Sequence, residues 1–159
     1  MNWSLPCLDE GSLKELGVKL ADYVNVGVVF SLSGNLGVGK TTLARAIISQ
    51  SCNVNTDIPS PTYNLVQSYE SNSNVELWHV DLYRLNSLQE VLEIGIEEAL
   101  IDNCCIIEWP ELIEQIIPSH SIYIQLEFQD RNSSSLSNRR MITIKTSNPI
   151  MASFDGLFE

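Results

Sequence analysis

The stretch SLSGNLGVGKTTLARAI, residues 31–47, decides the fold class of this chain. It places Gly34, Gly39, Lys40 and Thr41 at the spacing G-x-x-x-x-G-K-T, which is the phosphate-binding pattern known as the P-loop. Glycines allow successive backbone N–H groups to point inward, and the helix that follows presents its positive end to a phosphate. The pattern therefore predicts a strand, a glycine loop and a helix that together hold a nucleotide.

The segments on either side of this loop have the composition that a P-loop requires. The run VGVVFSLSG, residues 26–34, is short, apolar and β-branched, as is typical of a strand buried on both faces, and KTTLARAIISQ after it has helical composition. In such a loop Lys40 reaches the β- and γ-phosphates and the Thr41 hydroxyl ligates magnesium. A glycine turn before an ordinary surface helix is the alternative, and these flanks disfavour it.

Predicted strands and helices continue along the rest of the chain. They are a helix over residues 12–24 capped by Ser12, a hairpin of strands at 64–69 and 75–83, a helix at 87–101 bent near Gly95, a strand at 104–109, a short helix at 111–116 and two antiparallel strands at 121–128 and 141–146. We expect an α/β fold: a P-loop NTPase-like mixed sheet with helices on both faces and an antiparallel C-terminal hairpin. Residues 1–146 are expected to form a single P-loop ATPase domain, followed by a tail at 147–159.

The charge of the chain argues against direct binding of nucleic acid. Nine Lys and Arg residues against twenty Asp and Glu residues give a formal net charge of -11 over 159 residues. Such a chain repels a polyanion, and it has no long basic stretch that could release counterions from one. We therefore expect any contact with RNA to be made through another protein.

The sequence also predicts a cytoplasmic protein that does not enter a membrane. No run approaches the roughly 18 apolar residues that cross a bilayer, and the N-terminus lacks the basic flank and apolar core of a signal peptide. Cys7, Cys52, Cys104 and Cys105 show no C-x-x-C spacing, which disfavours a zinc site or a disulfide framework. Reduced, mostly buried thiols are expected.

Three further segments carry candidate site residues. Glu108 ends the apolar run CCIIE, which is where a P-loop protein needs a second carboxylate near its metal. His79 and Asp81 in HVDLY share one face of a strand, so the Asp81 carboxylate could orient water or contact the outer shell of the metal. Thr62 lies in IPSPTY, a loop in which nucleotide switches use a hydroxyl to sense magnesium and the γ-phosphate. Ordinary structural roles are the alternative for each of them.

The motifs GNLGVGKTT, SPTY, HVDLYRL and IEWPE stand in the order and approximate spacing of the TsaE family, which this sequence resembles over residues 12 to about 128. These are small bacterial P-loop ATPases required for threonylcarbamoyladenosine formation on tRNA. The resemblance implies ATP and Mg²⁺ as cofactors, and the TsaD and TsaB proteins as partners that carry out the transfer. It implies that ATP binding and hydrolysis reset that complex between turnovers, with tRNA contacted only through the partners.

The resemblance also assigns site residues. The nucleotide loop consists of Gly34, Asn35, Leu36, Gly37, Val38, Gly39, Lys40, Thr41 and Thr42. Thr41 and Glu108 are the pair linked to magnesium, Thr62 is the sensing residue of the first switch, and Asp81 is the acidic residue important for hydrolysis. Lys40, Thr62, Asp81 and Glu108 make up the expected catalytic set, and Trp109 lies beside Glu108. Val38 stands where the family commonly has Ala, and Tyr63 where it commonly has Phe.

Competing functions share the P-loop. A small-molecule kinase would need a lid that carries arginines, for which Arg131, Arg139 and Arg140 are candidates, although they flank a loop between strands. A GTPase is disfavoured because the sequence contains no N-K-x-D element. A third alternative is a binding module that depends on a nucleotide and hydrolyses it only incidentally. The sequence separates this function poorly from that of an ATPase. No arginine finger is evident in the chain itself, although Arg84 in DLYRL could be one, so we expect slow turnover by the isolated protein.

Overall fold

In a computed structural model, the described residues are 1–7, 9–54, 57–129 and 139–157, without the side chains of Cys7 and of residues 155–157. The strands are β1 (Asn2–Cys7), β2 (Val29–Gly34), β3 (Val66–Glu70), β4 (Glu76–Asp81), β5 (Cys104–Glu108), β6 (Ile122–Phe128) and β7 (Arg140–Lys145). The α-helices are α1 (Glu10–Leu20), α2 (Lys40–Cys52), α3 (Leu88–Glu93) and α4 (Ile96–Asp102). Short 3₁₀ helices lie at Ala21–Tyr23, Pro110–Ile113 and Pro149–Leu157.

The strands of the described residues form one seven-stranded sheet in the order β1-β7-β6-β2-β5-β4-β3. The strands at its centre are parallel: β2 runs parallel to both β5 and β6, and β4 runs parallel to β5. The outer pairs β3–β4, β6–β7 and β1–β7 are antiparallel. The predicted α/β fold with a mixed sheet and an antiparallel C-terminal hairpin is therefore confirmed, and the carboxyl ends of β2, β4 and β5 meet at one edge.

Helices cover both faces of this sheet, as the sequence predicts. Successive residues of β2 point into different apolar clusters, with Phe30 in the cluster that contains the buried residues of α1 and α2, and Val29 in the cluster that contains those of α3 and α4. Gly95, at φ 80°, separates α3 from α4 near the predicted bend. None of the helices in the described ranges has the length and apolar character needed to cross a membrane.

The first helix begins earlier than the sequence suggests. Its cap is Asp9 and not Ser12, because the Asp9 carboxylate accepts a hydrogen bond of 2.8 Å from the backbone N–H of Ser12 and another of 2.9 Å from its hydroxyl. Both residues favour a helix N-terminus, but only the one three positions upstream can reach the free N–H of the first turn. These hydrogen bonds lower the pKa of Asp9.

The cysteine side chains that the structure describes are free thiols. Cys104 and Cys105 are fully buried on β5, and burial raises the pKa of Cys105 to about 12. Cys52 is partly buried at the end of α2. The expected reduced and mostly buried thiols are found at these three positions, and the side chain of Cys7 lies outside the description.

Part of the segment expected to form a tail is packed against the domain. Met151 and Phe154 are fully buried in the same cluster as α1 and α2. The ring of Phe154 packs edge-on against Trp3, with 5.1 Å between centroids, and against Tyr23 at 5.8 Å. The boundary at residue 146 stays a prediction, whereas these two side chains belong to the core.

We predict that Phe154→Ala lowers the free energy of unfolding by about 3–5 kcal/mol, because it removes a buried aromatic ring from a packed site. Chemical denaturation followed by tryptophan fluorescence measures this change. Phe128→Ala is the matched control, since that ring is 39% exposed at the end of β6, and it should cost about 1 kcal/mol or less. Equal losses in the two variants would contradict a core role for the C-terminal segment.

Candidate active site

The glycine loop between β2 and α2 has a backbone that larger residues could not adopt. Gly34 lies at φ 137° and Gly39 at φ 117°, both in the region that favours glycine. A Cβ atom on Gly34 would collide with the carbonyl oxygen of Leu126, and one on Gly39 would lie 2.5 Å from a methyl carbon of Leu13. Backbone angle and available space therefore both explain the glycines of the motif.

Lys40 begins α2 with its ammonium group held at the mouth of the loop. Its Nζ donates hydrogen bonds to the carbonyl oxygens of Gly34 and, at 3.0 Å, Asn35. The same atom lies 3.7 Å from the ring centroid of Trp109, which is a cation–π contact. Burial lowers the pKa of Lys40, and the nearby carboxylates, led by that of Glu108, oppose this shift.

Glu108 joins the loop helix to the centre of the sheet. Its Oε2 accepts a hydrogen bond of 2.8 Å from the Thr41 hydroxyl, and its Oε1 lies 2.8 Å from Nε2 of His79. The carboxylate is 2% exposed and His79 is fully buried. Sequence reasoning left His79 undecided between the core and the site, and the structure places it directly behind Glu108.

A second carboxylate lies next to the first. Asp81 is the register partner of Glu108 across the parallel pair β4–β5. Its Oδ2 accepts a hydrogen bond of 2.8 Å from the Thr62 hydroxyl, and its Oδ1 accepts one of 3.0 Å from the backbone N–H of Tyr83. The Ser60 hydroxyl lies 2.6 Å from that of Thr62. The segment SPTY, which is distant in sequence, is thereby tied to the end of β4.

These groups open onto one cleft of about 260 Å³. It is lined by Leu36, Gly37, Gly39, Lys40, Thr41, Thr42, Thr62, Asp81, Tyr83, Glu108 and Trp109. The other predicted loop residues, Gly34, Asn35 and Val38, shape the loop or support Lys40 from behind.

Tyr83 was missed by the sequence analysis; its ring lies 4.8 Å from that of Trp109, and its only sequence signal is its place two residues after Asp81.

The arginines considered from the sequence do not line this cleft. The guanidinium group of Arg84 lies 4.5 Å from the ring centroid of Tyr63, outside the lining. Arg140 donates a hydrogen bond to the carbonyl oxygen of Val38 and so supports the loop from its side, while Arg139 is exposed. Arg131 lies outside the described residues. In the described part of the chain, the placement of Arg84, Arg139 and Arg140 supports neither a finger in the chain itself nor an arginine lid.

The donor atoms at the cleft suit magnesium bound together with a phosphate. Thr41, Asp81 and Glu108 supply hydroxyl and carboxylate oxygens, which are the ligands that a small hard cation prefers. The described residues contain no group of three or more acidic, His or Cys side chains that could hold a metal ion. Mg²⁺ usually takes only one or two carboxylates and fills its shell with water and substrate phosphates, so the residues present fit it.

Comparison with known proteins shows the family to which the chain belongs. Residues 7–141 match the family model described as "Threonylcarbamoyl adenosine biosynthesis protein TsaE". The structure is similar to the crystal structure of Bacillus subtilus YdiB, with a TM-score of 0.68 and 23% identity over 92% of this chain and 86% of that one. At 23% sequence identity, this similarity shows that the two proteins share a fold.

Three relatives named tRNA threonylcarbamoyladenosine biosynthesis protein TsaE give the closer comparison. The Rickettsia felis protein is 43% identical over 124 residues, which cover 78% of this chain and 72% of that protein. The Rickettsia typhi protein is 37% identical over 139 residues, with 87% and 92% covered, and the Haemophilus influenzae protein is 34% identical over 128 residues, with 77% and 80% covered. The chain therefore belongs to the TsaE family of tRNA threonylcarbamoyladenosine biosynthesis proteins.

Proposed function

We propose that this protein binds ATP with Mg²⁺ in the cleft and hydrolyses it to ADP and phosphate as part of the machinery that forms threonylcarbamoyladenosine on tRNA. One observation carries the proposal: the Lys40 ammonium, the Thr41–Glu108 pair and the Thr62–Asp81 pair open onto the same cleft beside the N-terminus of α2. Hydrolysis of a nucleoside triphosphate needs a phosphate cradle, a metal site and a group that orients water. Each of these needs has a candidate here.

The loop would hold the phosphates with groups that are already in position. Its backbone N–H groups and the positive end of α2, a helix of thirteen residues, favour an anion. An ammonium group has three N–H donors, and two of those of Lys40 are used on Gly34 and Asn35. The remaining donor belongs to an ammonium group that also lies over the Trp109 ring, and it is the one that would donate to a phosphate oxygen at the cleft.

Thr41 and Glu108 are the residues that would hold Mg²⁺. When bound, the metal would neutralise charge on the β- and γ-phosphate oxygens. The hydrogen bond of 2.8 Å between the two side chains shows that their oxygens already lie together, so neither side chain has to travel far to share a ligand. Both side chains start from regular elements, α2 and β5, which favours a well-defined position.

Asp81 is the residue that would orient the attacking water. An ionised carboxylate offers about four acceptor positions, and the Thr62 hydroxyl and the Tyr83 N–H use two of those of Asp81. A free position facing the cleft can accept a hydrogen bond from water. Because Thr62 donates to Asp81, movement of the SPTY segment toward a bound phosphate would also change the position of this carboxylate.

Turnover by the isolated chain should be slow because the cleft holds little positive charge. Lys40 is the only cationic side chain among the described residues that line it. P-loop switches without an arginine turn over on the order of 10⁻⁴ per second, and an arginine supplied by a partner accelerates them by about 10³ to 10⁵. We propose the TsaD–TsaB complex as that partner, in line with the family to which the chain belongs, and we propose that hydrolysis resets it.

We predict that Lys40→Ala weakens binding of Mg-ATP at least about tenfold, because it removes a charge-assisted hydrogen bond of about 1.5–3 kcal/mol to the phosphate. Titration calorimetry, or competition against a fluorescent ATP analogue, measures the dissociation constant. Lys145→Ala is the matched control, since this lysine lies on β7 away from the cleft. Unchanged affinity in a folded Lys40→Ala variant would mean that the loop is not the nucleotide site.

We predict that Asp81→Ala reduces single-turnover hydrolysis by about 100-fold or more, because the group that orients water is lost, while the dissociation constant for ATP changes little. Glu108→Ala should likewise retain ATP binding at saturating Mg²⁺ and lose hydrolysis. Release of phosphate and binding of the nucleotide are measured in parallel on each variant. If properly folded variants lost ATP binding itself, the role proposed here for these two carboxylates would be wrong.

The experiment that tests the function compares phosphate release by this chain alone with release after a TsaD–TsaB complex is added, with no small-molecule acceptor present. We expect at least a tenfold stimulation, since a partner can supply the positive charge that the cleft lacks. If turnover were insensitive to the complex and required a metabolite as phosphate acceptor, the proposed activity would be that of a kinase and not of an ATPase.

A further inference from the structure

Among the residues that the structure describes, His79 is the one buried titratable side chain at the site to which the proposed chemistry gives no task. It is fully buried on β4 and does not line the cleft. Its Nε2 lies 2.8 Å from Oε1 of Glu108, whereas its Nδ1 has no hydrogen-bond partner among the described residues. All the polar contact that this ring makes there is therefore directed at a single carboxylate.

The chemistry of the two groups decides which ring nitrogen carries the proton. An ionised carboxylate can only accept hydrogen bonds, so the neighbouring Nε2 must donate. A proton on Nδ1 instead would place the lone pair of Nε2 against the lone pairs of Oε1 and leave a buried N–H without an acceptor. The ring thus carries a proton on Nε2, which it donates to Glu108.

This hydrogen bond fixes how the carboxylate of Glu108 is turned. With Oε1 held by His79, Oε2 is the oxygen that meets the Thr41 hydroxyl at 2.8 Å. The register of the parallel pair β4–β5, with His79 opposite Ile106 and Asp81 opposite Glu108, places the ring one step behind the carboxylate on the same face of the sheet. A side chain that hydrogen-bonds to a metal ligand and so orients it commonly has a strong effect on the affinity of the site for the metal.

We propose that His79 is a positioning residue for the magnesium site: its Nε2–H holds the Glu108 carboxylate with one oxygen turned toward Thr41, so that the hydroxyl and the carboxylate are set for Mg²⁺ before the nucleotide arrives. The proposal rests on the function proposed above. A purely structural role would be served better by an apolar side chain, because an imidazole here leaves a buried nitrogen without a partner.

The test compares His79→Leu, which removes the donor at similar size, with His79→Gln, whose amide can donate from a similar distance. The free Mg²⁺ concentration that gives half-maximal tightening of ATP-analogue binding should rise about tenfold or more in His79→Leu. His79→Gln should restore most of the wild-type value, and binding measured in EDTA should be the same in all three proteins. Equal Mg²⁺ requirements in folded wild type and His79→Leu would overturn the proposal.

Leu77→Ala provides a control for general destabilisation. Leu77 is fully buried two residues before His79 on the same strand and points to the same face. This substitution should lower the melting temperature without raising the Mg²⁺ requirement. A rise equal to that in His79→Leu would mean that the requirement follows stability, and the proposal would fail.

A second measurement uses the nucleotide-free wild-type protein, so it does not require that a variant with His79 replaced can fold. Nitrogen-15 NMR of the His79 ring should show a protonated Nε2, and the Nε2 signal should shift in Glu108→Gln. An Nε2 without a proton would contradict the proposal. If wild type shows this ring but no Mg²⁺-dependent nucleotide binding, it is the proposed function that fails and not the hydrogen bond.

Discussion

The parallel pairing of β5 with β2 on one side and β4 on the other is the constraint on which the site depends. Parallel strands end at the same edge of a sheet, so this pairing brings the glycine loop, Asp81 and Glu108 together although they are far apart in the chain. The register then sets the detail, because Asp81 faces Glu108 across one ladder and Leu32 faces Glu108 across the other. A slip by one residue would turn a carboxylate to the opposite face of the sheet.

A second consequence is that the buried charges of the described chain are concentrated in one place. Lys40, Asp81 and Glu108 are each at most 5% exposed, and all three line the cleft. Buried charges are costly unless they are paired or hydrogen-bonded, and here each is partnered by a carbonyl, a hydroxyl, an imidazole or an aromatic face. The proposed binding of Mg-ATP rests on this arrangement, because such a ligand carries negative charge and a cation together.

The distribution of charge also explains the division of labour in the proposed function. The chain as a whole is strongly acidic, at -11, which suits a protein that contacts basic protein surfaces and leaves RNA to its partners. Within the cleft, however, one lysine is the only cation among the described lining residues. In the proposed function, such a site would hold the phosphates but would depend on a partner to stabilise the transition state, so hydrolysis would signal that the partner is engaged.

The sequence by itself determined the P-loop, the strand and helix beside it, and the α/β class, because these depend on local spacing, on glycine conformations and on hydrophobic runs that can be read along the chain. It also singled out Thr62, Asp81 and Glu108 as candidates, through short motifs. Only the tertiary structure decided that Thr62 bonds to Asp81, that His79 lies behind Glu108, that Tyr83 joins the wall of the cleft, and that Arg84 stacks on Tyr63 outside it. It likewise placed Met151 and Phe154 in the core. The physical reason is that hydrogen bonds and ring contacts between distant residues depend on strand register and on the path of loops, and neither leaves a periodic signal in the sequence.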